Sequence, residues 1–117
     1  MSTTSPARYV AIDARQVALD PEGYLVDLAD WSPAVAQALA AEEGRELTDE
    51  HWEVIDTLRD FYRCYAMAPA MRPLVKAVGQ RLGPDKGRSI HLMRLFPDSP
   101  AKVAARLAGL PKPTNCL

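Results

Sequence analysis

Thr48-Asp49-Glu50-His51-Trp52-Glu53-Val54-Ile55-Asp56-Thr57-Leu58-Arg59-Asp60-Phe61-Tyr62-Arg63-Cys64-Tyr65 is the stretch that decides the fold class. Thr48 is a helix N-cap residue, and Asp49 and Glu50 fall in the first turn, where the helix dipole favours negative charge. Trp52, Ile55, Leu58, Phe61, Tyr62 and Tyr65 recur at intervals of three and four. That spacing makes one broad apolar face, which must be buried against other elements. Pro69 stops the helix.

Further helices lie on both sides. Ser32-Pro33 is an N-cap followed by proline at the first helical position, opening a helix over 34–43 that Gly44 ends. Leu74 to Leu82 is helical and closed by Gly83-Pro84; Ser89 to Phe96 is another, ended by Pro97. Ser99-Pro100 repeats the cap-and-proline signal before a last helix, Ala101 to Leu107, ended by Gly109. Ahead of all these, Tyr9-Val10-Ala11-Ile12 and Tyr24-Leu25-Val26 are β-prone runs, separated by the turn residues Asp20-Pro21-Glu22-Gly23. The expected fold is α+β and mostly α: an N-terminal β-hairpin or meander packed on about five short helices. Residues 1–117 form one domain, with 1–8 a disordered lead-in and 110–117 a flexible, extended C-terminal arm.

At 117 residues the chain can bury a core without disulfides or metals. Its apolar runs are short and broken by charge, which excludes a transmembrane helix, and Met1 to Pro6 lacks the apolar region of a secretory signal. A cytoplasmic location is expected. The net charge of −1 conceals an asymmetry. Residues 1–58 carry three basic and twelve acidic side chains, residues 59–117 eleven basic and three acidic. Either the halves neutralise each other on packing, or the basic half faces an acidic protein or RNA. Arg72, Lys76, Arg81, Lys86, Arg88 and Arg94 are the candidates for such a face, against the plain reading of a solvated surface.

The candidate chemistry lies in the tail, Leu110-Pro111-Lys112-Pro113-Thr114-Asn115-Cys116-Leu117. Alternating prolines forbid helix and favour extended backbone. A cysteine one residue from the end of such an arm can visit another protein's active site, and six residues from Leu110 give it a reach of roughly 20 Å. A thiolate so placed can attack the outer sulfur of a donor persulfide, hold it and pass it on. Cys64, among Phe61, Tyr62 and Tyr65, reads as packing or partly exposed surface. His51 and His91 have no Cys or His partner at metal-ligand spacing, so no metal or cofactor is expected; His51 reads as a surface or cap-adjacent group.

The tail from Leu107 resembles the C-terminal signature of the TusE/DsrC family of sulfur-relay proteins. Asp20 to Leu25, Trp31-Ser32, Leu47 to Val54, Leu58 to Tyr62, Pro69 to Lys76, Leu95-Phe96-Pro97 and Pro100-Ala101-Lys102 match the family pattern in order. The resemblance implies a β meander against an orthogonal helix array, and a mobile arm whose Cys116 bears the sulfur. Two-cysteine members, partners of dissimilatory sulfite reductase, carry a second cysteine where this chain has Ala105. Its absence implies the single-cysteine TusE kind. Such proteins take sulfur from a TusBCD-like donor complex and pass it to a tRNA thiouridylase for 2-thiouridine at the wobble position. The rivals are a DsrC-like role in sulfite reduction or sulfur oxidation, and a non-catalytic regulator with helix-turn-helix-like geometry.

Overall fold

The computed structural model describes residues 7–113. Two antiparallel strands, β1 (Arg8–Ile12) and β2 (Arg15–Leu19), pair with Val10 opposite Val17. Alternation puts Val10, Ile12, Val17 and Leu19 in the core and leaves Tyr9 and Gln16 outside. β2 corrects the expected pairing of Tyr9–Ile12 with Tyr24–Val26: the reversal comes at Asp13, which sits at φ +54° without glycine or proline to announce it. The turn at Asp20 is present as well. Asp20 Oδ1 accepts from the Glu22 and Tyr24 amides, both at 2.9 Å, and returns the chain so that Leu25 bridges Leu19. A short meander results. Ala7 and Arg8, expected in the lead-in, belong to it, since Ala7 N–H donates to Leu19 O at 2.8 Å and Arg8 opens β1. The rest of the lead-in lies outside the described residues.

A 3-10 turn (Leu28–Asp30) leads to five helices: α1 (Pro33–Glu42), α2 (Asp49–Tyr65), α3 (Met71–Leu82), α4 (Ser89–Leu95) and α5 (Pro100–Leu107). Ser32 caps α1 through its Oγ, which accepts from Val35 N–H. α3 begins three residues before the expected Leu74, because Pro73 is accommodated in the first turn, where a missing N–H costs nothing. Its far end meets the 83–88 loop at Gly79 and Gly87, so closely that a Cβ on Gly87 would lie 2.3 Å from the Gly79 Cα. His51 closes a capping box at α2. Its Nδ1 accepts from Thr48 N–H at 3.0 Å, so Nε2 carries the proton and donates to Leu95 O at 2.9 Å. His51 is thus cap-adjacent, as one of the two expectations had it, but buried rather than at the surface, and it ties the start of α2 to the end of α4.

α5 packs against α1, α2, α3 and α4 together. Its buried positions Ala101, Ala104 and Ala105 are small enough for the neighbouring backbones to close in, while Leu107 fills the remaining space. No helix among the described residues is long and apolar enough to cross a membrane.

Candidate functional site: the root of the C-terminal arm

The end of α5 is the point from which the cysteine-bearing arm departs. Its carbonyls form a complete account. Leu110 N–H donates to Ala105 O at 2.9 Å and Gly109 N–H to Arg106 O at 3.2 Å, with Gly109 at φ +73°. This is a Schellman termination, in which the glycine takes the left-handed conformation that side chains resist. The next two carbonyls are satisfied from elsewhere: Trp31 Nε1 donates to Leu107 O at 2.9 Å, and Arg59 Nη1 to Ala108 O at 2.7 Å. The Arg59 guanidinium also lies 3.8 Å from the centre of the Trp31 ring, a cation–π contact. Burial, and then the neighbouring Arg63, holds Arg59 below its ordinary value, with Asp56 opposing; it stays a cation.

Gly109 has a second reason to be glycine, because a Cβ there would lie 2.3 Å from Trp31 Cδ1. Beside this junction a hollow of about 80 Å³ is lined by Leu28, Arg59, Tyr62, Arg63, Gly109 and Leu110. The arm is anchored further than expected. Leu110 is 2 % exposed, Pro113 is buried, and Lys112 Nζ meets Glu22 Oε2 at 2.8 Å. The expectation that all of 110–117 is free is corrected to this extent. From Pro113 to Cys116 the covalent span is three residues, at most about 10 Å of chain. Cys116 itself lies outside the described residues.

Cys64 lies well away in kind: it is exposed, on a groove of about 580 Å³ between α2 and α3 that Phe61, Tyr65, Lys76 and Arg81 also line. Ala105, where two-cysteine members of the resembling family have their second thiol, is fully buried in α5. The six candidate basic residues divide. Arg81 pairs with Asp60, Lys86 with Glu53 at 2.6 Å, and Arg94 approaches Glu50 at 3.8 Å, whereas Arg72, Lys76 and Arg88 have no ion-pair partner among the described residues. Gly109 was expected to end the last helix, whereas Trp31 and Arg59 belong to the junction although sequence reading gave them no such role. The only signal was their presence in or beside the family-like blocks, and a carbonyl's remote donor leaves no local pattern.

A family model described as "DsrC like protein" matches residues 11–117. The sulfurtransferase TusE homolog of Haemophilus influenzae is 52% identical over 106 residues, covering 91% of this chain and 97% of that one. Sulfurtransferase TusE of Salmonella paratyphi A is 49% identical over 105 residues, covering 90% and 96%. Among solved structures, DsrC of Allochromatium vinosum superposes with a TM-score of 0.85 at 52% identity, covering 93% of this chain and 97% of that one. The oxidized gamma-subunit of the dissimilatory sulfite reductase (DsrC) from Archaeoglobus fulgidus gives 0.82 at 40% identity, covering 94% and 100%. Fold and relatives together define a sulfur-relay protein of the sulfurtransferase class. The chain belongs to the DsrC-like family.

Proposed function

We propose that Cys116 is the sulfur-bearing residue and that the chain is a single-cysteine carrier of the TusE kind. The observation that carries this reading is the pairing of a penultimate cysteine with a buried alanine at position 105. Overall identity does not separate the two branches, since a TusE homolog and a DsrC structure both stand at 52%. Position 105 supports the single-cysteine reading, because a methyl group sealed in α5 cannot serve as a second sulfur centre.

In the proposed cycle the Cys116 thiolate attacks the outer sulfur of a donor persulfide. A new S–S bond forms, the donor's S–S bond breaks, and the donor leaves as a thiolate. Cys116 then holds a persulfide, which an acceptor thiolate attacks in the same way, with no net oxidation at either step. The donor is a TusBCD-like complex and the acceptor a tRNA thiouridylase with its tRNA, in the cytoplasm. The runner-up is a DsrC-like service to dissimilatory sulfite reductase-type proteins, for which the likeness to the Archaeoglobus fulgidus gamma-subunit speaks.

The test is intact mass after incubation with a protein persulfide donor. Wild type and Cys64→Ser should gain a one-sulfur adduct that reductant removes; Cys116→Ser should gain none. Because Cys64 is exposed, shielding cannot account for its staying unmodified, and the experiment measures selectivity by the donor. An adduct on Cys116→Ser equal to that of wild type would refute the assignment.

A further inference from the structure

The acidic turn at residues 20–24 does more than reverse the chain. Buried Tyr24 donates its hydroxyl to Lys102 O at 3.3 Å, inside α5. Gly23 packs on Arg106, whose Cδ would lie 3.2 Å from a Cβ at that position, and Arg106 is itself paired with Glu43. Glu22 then meets Lys112 Nζ at 2.8 Å, on the arm. Three consecutive residues of the turn thus track α5 from Lys102 through Arg106 and out onto the arm.

Both sides of that last contact are held before they meet. The turn closes on Asp20: its carboxylate accepts from the Glu22 and Tyr24 amides, its carbonyl accepts from Gly23 N–H at 2.9 Å, and its own N–H donates to Tyr24 O at 2.8 Å. Lys112 stands between Pro111 and Pro113, whose rings fix φ, and Pro113 is buried. Neither proline has an N–H, so the direction of the chain past Leu110 depends heavily on side chains. Pairs that are about half exposed, as this one is, are weak, partly because two mobile side chains must be ordered. Here the backbones that carry them are already set, which reduces that cost.

We propose that Glu22 is a positioning residue: by holding Lys112 it fixes the point and direction from which the arm projects Cys116. The covalent span from Lys112 to Cys116 is four residues, at most about 14 Å; counted from Leu110 it is six, roughly 20 Å. Losing the pair lengthens the tether and adds ordering that docking must then supply. The role in transfer rests on Cys116 being the carrier, whereas the anchoring of the arm does not.

Glu22→Gln tests it, read by the heteronuclear NOE of the Lys112 amide and by sulfur uptake from a protein persulfide donor. The NOE should fall. The donor concentration for half-maximal uptake should rise roughly threefold with the saturating rate unchanged, because pre-ordering is lost and the chemistry is not. In a Lys112→Gln background the Glu22 change should have no further effect, since the contact is already gone. Additive losses would mean that each side chain meets the donor separately, and would sink the proposal. So would an NOE unmoved in Glu22→Gln, which leaves the arm held by Leu110 and Pro113 without Glu22. A lowered NOE with half-maximal uptake unchanged overturns the positioning role. Uptake by Cys116→Ser equal to that of wild type refutes the carrier assignment, and the role in transfer with it, while the NOE still decides the anchor.

Discussion

Gly109 stands where the Trp31 ring leaves no room for a side chain, on a backbone held at φ +73°. An alanine there incurs a left-handed penalty of about 1–2 kcal/mol and must also displace the ring. Gly109→Ala should therefore lower the urea midpoint by the equivalent of about 1–3 kcal/mol. It should also slow sulfur delivery, because the arm then leaves α5 in a different direction. Ala105 makes the complementary point, since its side chain is sealed. In Ala105→Cys the new thiol should resist iodoacetamide in the folded protein while Cys64 is labelled at once, and a 105–116 disulfide should form only after partial unfolding, measured by mass after timed quenching. Sequence reading identified Gly109 as a helix stop from its residue type alone. It could not see the ring against it, because Trp31 is far away in the chain.

At the scale of elements, a helix end with two carbonyls served by distant side chains is a joint between three segments. Arg59→Met removes one donor and the cation over the ring; Trp31→Phe removes the other donor and keeps an aromatic surface. Each should cost roughly 1–3 kcal/mol by chemical denaturation, from an unsatisfied carbonyl. The double variant should depart from the sum by roughly 0.5–2 kcal/mol, because the two side chains touch. The helices themselves were legible: capping residues, prolines and three–four spacing located all five, with ends misplaced by up to three residues. β2 was not. Arg15-Gln16-Val17-Ala18-Leu19 alternates as a half-buried strand should, but its turn rests on Asp13 in a conformation that glycine usually marks, and the more obvious turn at Pro21-Glu22-Gly23 drew the hairpin downstream.

Across the whole molecule the opposed charges of the two halves meet in part. Lys86–Glu53, Arg94–Glu50, Arg106–Glu43 and Lys112–Glu22 join basic residues after position 58 to acidic ones before it. The reading in which the halves neutralise each other thus holds in part, while Arg72, Lys76 and Arg88 have no ion-pair partner among the described residues. The same packing controls how the fold responds to acid. Burial depresses the His91 pKa below its ordinary 6.5, with Arg94 and Lys86 adding to the effect and Glu50 and Glu53 opposing it. The folded chain therefore refuses a proton that the unfolded chain takes up. Stability from this source is complete above about 6.5 and is lost as the pH falls from there through the lower folded value. Urea midpoints should fall between pH 7.5 and 5.5, and His91→Gln should flatten the slope; an unchanged slope would show that His91 is not the group responsible.

The burial of Pro113 has a consequence best expressed as concentration. Three residues of covalent chain hold the Cys116 Cα within about 10 Å of that proline, and one group in a sphere of that radius amounts to roughly 0.4 M. Under the role proposed for Cys116, once a donor or acceptor brings its own sulfur within that reach, transfer becomes effectively unimolecular and free thiols in solution compete poorly. The short tether is also a gauge of depth. For a sulfur carried as proposed, a reactive cysteine recessed farther than this from the nearest surface the body can touch is out of range, and distance limits misdelivery before any chemistry begins.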